Sequence, residues 1–483
     1  MTAKIAFFQT ASALEKSCLL QCQSLEKSCI FAAEILEKSC NMLRRKIDEL
    51  FDNWAVKKRK KALLVEGARQ VGKTTSIREL ARRHYKHFVE INFIKSPSAK
   101  KAFDGDLDAN TIILNLSAMG LGPFVPGDTL VFFDEIQECP NARAAIKFLM
   151  EDGAFHYVES GSLLGIHYKG GDKPEDEVGE IPSIPVGSEE TVEMYPLDFE
   201  EFLWALGITE DIVDVLRHSF NADKPVPGFV HEQIMRRYAQ YMAVGGLPEV
   251  VMDFIDNRDF SVVLNTQNNL LAGYRKDISK YAGSDKVLVK RVFDSIPAQL
   301  TKPKKRFVLA ELEHGASHRK YADPTQWLID AGMAYYAIQT NALSLPLSNV
   351  ENRKLYKLYL LDTGLLCNMS MPRQHFAIMN GELDLNEGAM TENFVAAELV
   401  KRGHSLHYFD QKSKHELDFV LPTEDGIQVI EVKSGRNFRQ HASLDYALAH
   451  SHSSIAEAIV LCTSNVEIAN GIRYLPLYMT MFL

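Results

Sequence analysis

The chain has 483 residues, which at roughly 100 to 200 residues per unit makes about three domains and excludes a single small one. Hydrophobic residues at 46% and charged residues at 24% are the balance of a globular protein, and exclude a disordered or fibrous chain. With 54 Lys and Arg against 63 Asp and Glu the net charge is −9, so any contact with DNA has to be local.

The N-terminal stretch 1–41 is repetitive. The pentapeptide Leu-Glu-Lys-Ser-Cys begins at Leu14, Leu25 and Leu36, an eleven-residue period that either lines one stripe of a helix or reflects a repeated DNA element read through from an upstream start. The second reading predicts that translation begins at Met42, where ordinary helical periodicity sets in. Four of the seven cysteines (Cys18, Cys22, Cys29 and Cys40) lie in this stretch, and none of the seven takes a zinc-ligand spacing. An odd number of unpaired cysteines, with no apolar run of the roughly 18 to 20 residues that span a bilayer, predicts a cytoplasmic chain with no membrane partner.

Residues 42–205 read as a nucleotide-binding core. The basic run Lys57-Lys-Arg-Lys-Lys61 is a solvated linker, and an apolar strand at 62–65 leads into Gly67-Ala68-Arg69-Gln70-Val71-Gly72-Lys73-Thr74-Thr75. That is the phosphate-binding pattern G-x-x-x-x-G-K-[ST] in its strand–loop–helix setting. The glycines let backbone amides turn toward phosphates, Lys73 adds charge at the β and γ groups, and Thr74 offers a hydroxyl to Mg²⁺. A second strand, 129–133, ends in Asp134 and Glu135, placing two carboxylates where ligands sit in open α/β sheets. Asp134 would hold Mg²⁺ and Glu135 would polarise the attacking water, so the predicted reaction is ATP hydrolysis. After a third strand at 156–159, Ser160 and Ser162 are either γ-phosphate sensors or a plain turn. Arg69 and Arg143 are both candidates for a transition-state finger, and nothing in one sequence selects between them.

These motifs, with Phe132-Phe-Asp-Glu-Ile-Gln137, Gly161-Ser-Leu-Leu164, Tyr195-Pro-Leu-Asp-Phe-Glu-Glu-Phe-Leu-Trp204 and Gly245-Gly-Leu-Pro-Glu249, resemble a family of prokaryotic AAA-type ATPases. Its members carry a C-terminal domain of uncharacterised function that is similar to restriction-type nucleases. The resemblance runs from about Met42 to the C-terminus and implies a sensor role for Ser160 or Ser162.

The Gly-, Pro- and acid-rich stretch 171–188 reads as a surface loop. Helical spacing from 200 to 282 predicts a helical lid over 206–285; the basic pair in Tyr274-Arg-Lys-Asp277 reaches phosphate or faces solvent. Residues 286–375 have the rhythm of a winged helix-turn-helix: helices at 287–299 and 318–331, then strands at 333–338 and 355–361. His318, Arg319, Lys320 and the Lys302–Arg306 cluster are its candidate DNA contacts, unless the domain serves as a packing adaptor.

Residues 376–483 hold a second acidic constellation. A helix at 387–401 carries Glu392 and Glu398, a strand carries Asp418, and the strand after it carries Glu431 and Lys433 on one face. The arrangement resembles the restriction-endonuclease-like fold, which implies Mg²⁺ on Asp418 and Glu431, Lys433 positioning or deprotonating the water, and Glu392 completing the shell. The alternative is a strand-end salt bridge on Lys433. The expected protein is thus an α/β chain with a P-loop AAA-type ATPase core, helical lid, winged helix-turn-helix and restriction-endonuclease-like domain. It uses ATP and Mg²⁺, acts on DNA as an ATP-dependent nuclease or serves as a non-cutting switch, and is a candidate homo-oligomer.

Overall fold

A computed structural model describes residues 42–57, 61–161, 187–370, 387–411, 414–435, 437–451 and 454–483. The repeated pentapeptides, the middle of the basic run at 58–60, Ser162 and the loop at 171–186 lie outside the described residues. Residues 45–483 hold together as one unit, and of the unit before it only 42–44 are described.

After helix α1 (Ile47–Val56), five strands build the first sheet: β1 (Ala62–Glu66), β2 (His87–Asn92), β3 (Thr129–Asp134), β4 (His156–Ser160) and β5 (Glu189–Glu193). All its neighbours run parallel, in the order β2-β3-β4-β1-β5. Parallel strands covered on both faces need apolar residues at every position, and β1 and β3 are buried throughout. The interleaved helices are α2 (Lys73–His84), α3 (Ala109–Ala118) and α4 (Pro140–Asp152). Ile112, Leu116, Ile146 and Leu149 from α3 and α4 join Leu64, Val89, Phe133 and Tyr157 from the strands in one core. With every strand pointing the same way, the turns after β1, β3 and β4 converge on one edge.

Helices α5 (Phe199–Ala205), α6 (Glu210–Ala222), α7 (Gly228–Val244), α8 (Pro248–Asn257) and α9 (Phe260–Tyr281) follow. The start of α5 is fixed by a capping box, in which Asp198 accepts from the Glu201 amide and Glu201 from the Asp198 amide. Next come α10 (Lys286–Leu300), α11 (His318–Asp330), β6 (Ala334–Thr340), β7 (Glu351–Leu360) and α12 (Thr363–Ser370), the last packed against α7 and α9.

The helix–helix–hairpin order expected over 286–375 is present, but its hairpin is not a free wing. Strand β6 pairs in parallel with β8 (His407–Gln411), through Ile338 opposite His407 and Thr340 opposite Phe409. Hairpin β6–β7 is thereby the edge of an eight-stranded mixed sheet that continues through β9 (His415–Thr423), β10 (Gly426–Val432), β11 (Ile455–Cys462), β13 (Ile472–Pro476) and β12 (Glu467–Ala469). The expected boundary between 375 and 376 lies outside the described residues, and the strands before and after it belong to one sheet. Helix α13 (Glu387–Lys401) lies against β6, β7 and β10, while α14 (Ala442–Ser451) packs Leu444 and Ala447 onto Leu417, Val429 and Val460.

Candidate functional site

The phosphate loop joins β1 to α2, and its conformation explains its glycines. Gly67 has φ +148°, and a Cβ there would lie 2.2 Å from the Met194 carbonyl oxygen. Gly72 has φ +102°, a left-handed value that aims the first amides of α2 into the loop. Gln70 also takes a positive φ. Lys73 folds back over the loop, its Nζ donating to the carbonyls of Gly67 (2.9 Å) and Ala68 (2.8 Å). Burial lowers its pKa to about 8, even though Glu135 and Asp134 pull the other way.

The acid pair faces this lysine. Asp134 lies opposite Asn92 on β2 and Ser160 on β4. Its Oδ2 accepts from Asn92 Nδ2 at 2.8 Å and its Oδ1 from Ser160 Oγ at 2.5 Å. Glu135 is in the left-handed region at φ 55°, turned out of the strand, and Gln137 Nε2 donates to its Oε2 at 2.5 Å. Ser160 is thus tied to the Asp134 carboxylate; Ser162, the other sensor candidate, lies outside the described residues. Thr74 and Thr75 open α2, with Thr75 exposed. Thr74 and Asp134 fit a hard cation: hydroxyl and carboxylate oxygens at the same sheet edge, with Asp134 held in place by Asn92 and Ser160.

Both arginine candidates are engaged within the chain. Arg69 Nη1 meets Asp277 Oδ1 at 2.8 Å, its Nη2 donates to Tyr281 OH at 3.0 Å, and Tyr274 OH donates to the Arg69 carbonyl at 3.1 Å. Helix α9 is therefore clasped to the phosphate loop. The polar residues that do this are Tyr274, Asp277 and Tyr281, whereas the basic Arg275 pairs with Asp294. Arg143 lies 3.3 Å from Glu189 and 3.7 Å from the buried Glu159, a carboxyl whose pKa is pushed well up by burial and by Glu189.

Sequence reasoning missed Arg45. Its Nη1 donates to the Val71 carbonyl (2.9 Å) and its Nη2 to the Tyr195 carbonyl (2.7 Å), so it braces the loop from behind. The motifs at 195–204 and 245–249 meet at one joint. The Leu197 amide donates to the Gly246 carbonyl at 2.6 Å, and the Gly246 amide to Asp362 Oδ2 at 2.7 Å. A Cβ on Gly246 would come within 2.0 Å of the Leu197 oxygen, and one on Gly364 within 2.3 Å of the Val244 oxygen.

The C-terminal cluster brings Asp418, Glu431, Lys433 and Glu392 together as the sequence suggested, but with two further lysines. Glu392 is wholly buried. Its Oε1 takes Lys357 Nζ at 2.9 Å and Tyr359 OH at 2.5 Å, and its Oε2 takes Lys305. Burial alone would raise its pKa; Lys305 and Lys357 overcome that and hold it down to about 2. Asp418 accepts from the Val432 amide at 2.9 Å and meets Lys357 at 3.4 Å. Lys433 Nζ lies 2.8 Å from Glu431 Oε1, while the buried Glu431 Oε2 has no hydrogen-bond partner. Burial, and then Asp418, push Glu431 up to about 7 against the pull of Lys433. No group of three or more His, Cys, Asp or Glu side chains suited to a metal occurs among the described residues.

Glu392, expected to complete a metal shell, has both oxygens occupied by its own chain. The signal for Lys357 was legible: a single charge inside the apolar run Leu355-Tyr-Lys-Leu-Tyr-Leu360, where a buried lysine needs partners. Of the candidate DNA contacts, Lys305 is turned into this cluster and Lys302 pairs with Glu311, whereas His318, Arg319 and Lys320 are exposed, Lys320 beside Glu313. No described helix is long and apolar enough to cross a membrane.

Residues 59–203 match the family described as AAA domain. Residues 235–375 and 387–479 match two families described as domains of unknown function, DUF8612 and DUF4143. Among solved structures, the Thermotoga maritima RuvB Holliday junction branch migration motor is similar at 14% identity and a TM-score of 0.25, covering 62% of this chain and 88% of that one. A Thr-to-Val variant of Thermotoga maritima RuvB gives 14% identity, a TM-score of 0.28, and coverage of 60% and 87%. No curated protein matches the chain.

Proposed function

We propose, from an AAA-type P-loop ATPase domain at 59–203 as the premise, that the chain binds and hydrolyses ATP and passes its nucleotide state to the C-terminal half through α9. The observation that carries this is the phosphate-loop Lys73, folded onto the Gly67 and Ala68 carbonyls, at the sheet edge where Asn92 and Ser160 hold Asp134. Lys73 exchanges two loop carbonyls for the β- and γ-phosphates. Thr74 and Asp134 would hold Mg²⁺, which neutralises the charge that builds on the phosphate oxygens. Asn92 and Ser160 hold Asp134 aimed at the loop. Glu135, restrained by Gln137, orients and polarises the water. Arg69 is the link outward, because phosphate arriving beside it competes with Asp277 for the guanidinium.

The test is phosphate release from ATP by the full chain. Hydrolysis is expected to vanish in Lys73→Ala and in Glu135→Gln, with nucleotide affinity lost in the first and kept in the second; unchanged turnover in both overturns the reading.

A nucleolytic C-terminal half acting on DNA is the second reading. Supporting it are Glu431 and Lys433 on one face beside Asp418, the unpartnered Glu431 Oε2, and the exposed His318 and Arg319 as DNA contacts. Its test is Mg²⁺-dependent cleavage of plasmid DNA that disappears in Asp418→Ala.

A further inference from the structure

We infer that the ammonium of Lys357 is the resident cation of the C-terminal acid cluster, standing where a divalent metal was expected and closing this half of the chain to Mg²⁺. The inference deepens the switch reading over the nucleolytic one and does not depend on ATP hydrolysis.

Lys357 projects from β7 and is fully buried. Its Nζ lies 2.7 Å from Glu416, 2.9 Å from Glu392 and 3.4 Å from Asp418, so three carboxylates from α13 and β9 converge on one ammonium. It also lies over the Tyr408 ring, 5.1 Å from the centroid. A buried lysine without partners loses its proton; here the carboxylates keep the proton on. A second ammonium, Lys305, takes the remaining oxygen of Glu392.

The residues do not fit a divalent cation. Mg²⁺ keeps several of its waters and is held octahedrally by one or two carboxylates that it does not share with a fixed cation. Glu392 is occupied at both oxygens, and Asp418 has the Val432 amide on one and Lys357 on the other. The oxygens left over, Glu431 Oε2 and the second oxygen of Glu416, belong to carboxyls already paired with the ammoniums of Lys433 and Lys357. A metal on Asp418 would also meet the Lys357 charge at close range, in surroundings that screen it poorly. Fully ionised, four acids (Glu392, Glu416, Asp418 and Glu431) face three ammoniums (Lys305, Lys357 and Lys433), −4 + 3 = −1, and the raised pKa of Glu431 brings the cluster nearer to neutral with no added ion.

The experiment is Mn²⁺ titration of the nucleotide-free full chain, followed by the electron paramagnetic resonance of free Mn²⁺. An Asp134→Asn background removes the metal-binding acid of the ATP site. This protein is expected to bind no Mn²⁺ at millimolar concentration, and Lys357→Met in it to gain one site at least tenfold tighter, lost again with Asp418→Asn. One Mn²⁺ bound with Lys357 in place, and abolished by Asp418→Asn, overturns the inference, as does a folded Lys357→Met that gains nothing. Should Lys357→Met fail to fold, the melting temperature of the Asp134→Asn chain decides: no change between EDTA and Mg²⁺ is expected, and a rise with Mg²⁺ overturns it. ATP turnover enters none of these readouts, so a failure of the ATPase reading is seen separately.

Discussion

Lys73 has an affinity for protons that depends on what faces it. Without nucleotide its charge is met by two backbone carbonyls and burial holds its pKa near 8; phosphate oxygens restore the charged form. The sign is fixed: above pH 8 the free protein holds Lys73 mainly neutral, so ATP binding takes up a proton there and takes up none well below it. Calorimetry of ATP binding at pH 8.5 in buffers of different ionisation enthalpy is expected to show uptake of about three quarters of a proton, falling to almost none at pH 6.5. Glu392 is the opposite case. Its pKa is depressed to about 2 by Lys305 and Lys357, so the stability it contributes is fully present above its unfolded pKa of about 4.5 and is lost as pH falls toward 2. Glu392→Gln removes a carboxylate from the buried ammonium of Lys357 and the half-buried one of Lys305, and is expected to destabilise the protein by about 3–5 kcal/mol at pH 7, seen as a fall in melting temperature.

At the scale of elements, the clasp between α9 and the phosphate loop is the feature with consequences for coupling. It consists of one ion pair and two tyrosine hydroxyls at the loop, contacts weak enough to be traded for phosphate. ATP is expected to increase amide hydrogen exchange at the C-terminal end of α9 in the wild type. In Asp277→Ala the exchange there is already high and ATP changes it little. An α9 whose exchange ignores ATP in the wild type removes this coupling route. The pattern of apolar residues located α9, but not which polar residues face the loop. Tyr274-Arg-Lys-Asp277 read as a basic pair, and the folded helix turns its tyrosine and aspartate toward the loop.

On the scale of the whole molecule, the last two segments share one sheet. A fragment beginning at 376 lacks β6 and β7, leaving the edge of β8 unpaired and removing Lys357 from Glu392, Glu416 and Asp418. Such a fragment is expected to be insoluble or molten, judged by circular dichroism and a heat scan, whereas one beginning before α10 keeps the sheet complete. A cooperative transition in the shorter fragment shows that the hairpin is dispensable.

Features that rest on local spacing were legible in the amino-acid order. The loop from Gly67 to Thr75 and the carboxylates closing β3 are set by residues within a few positions of each other, because a phosphate loop and a strand end are local conformations. The helices near 287–299, 318–331 and 387–401 followed from their periodicity for the same reason. Features that rest on long-range neighbours emerge only in the folded chain. Arg45 reaches Val71 and Tyr195, Arg69 reaches Asp277, and Lys357 reaches Glu392, Glu416 and Asp418. A one-dimensional pattern records that a charge lies in an apolar strand but not which charge meets it. At the C-terminal cluster that meeting separates carboxylates waiting for a metal from carboxylates already neutralised by lysine.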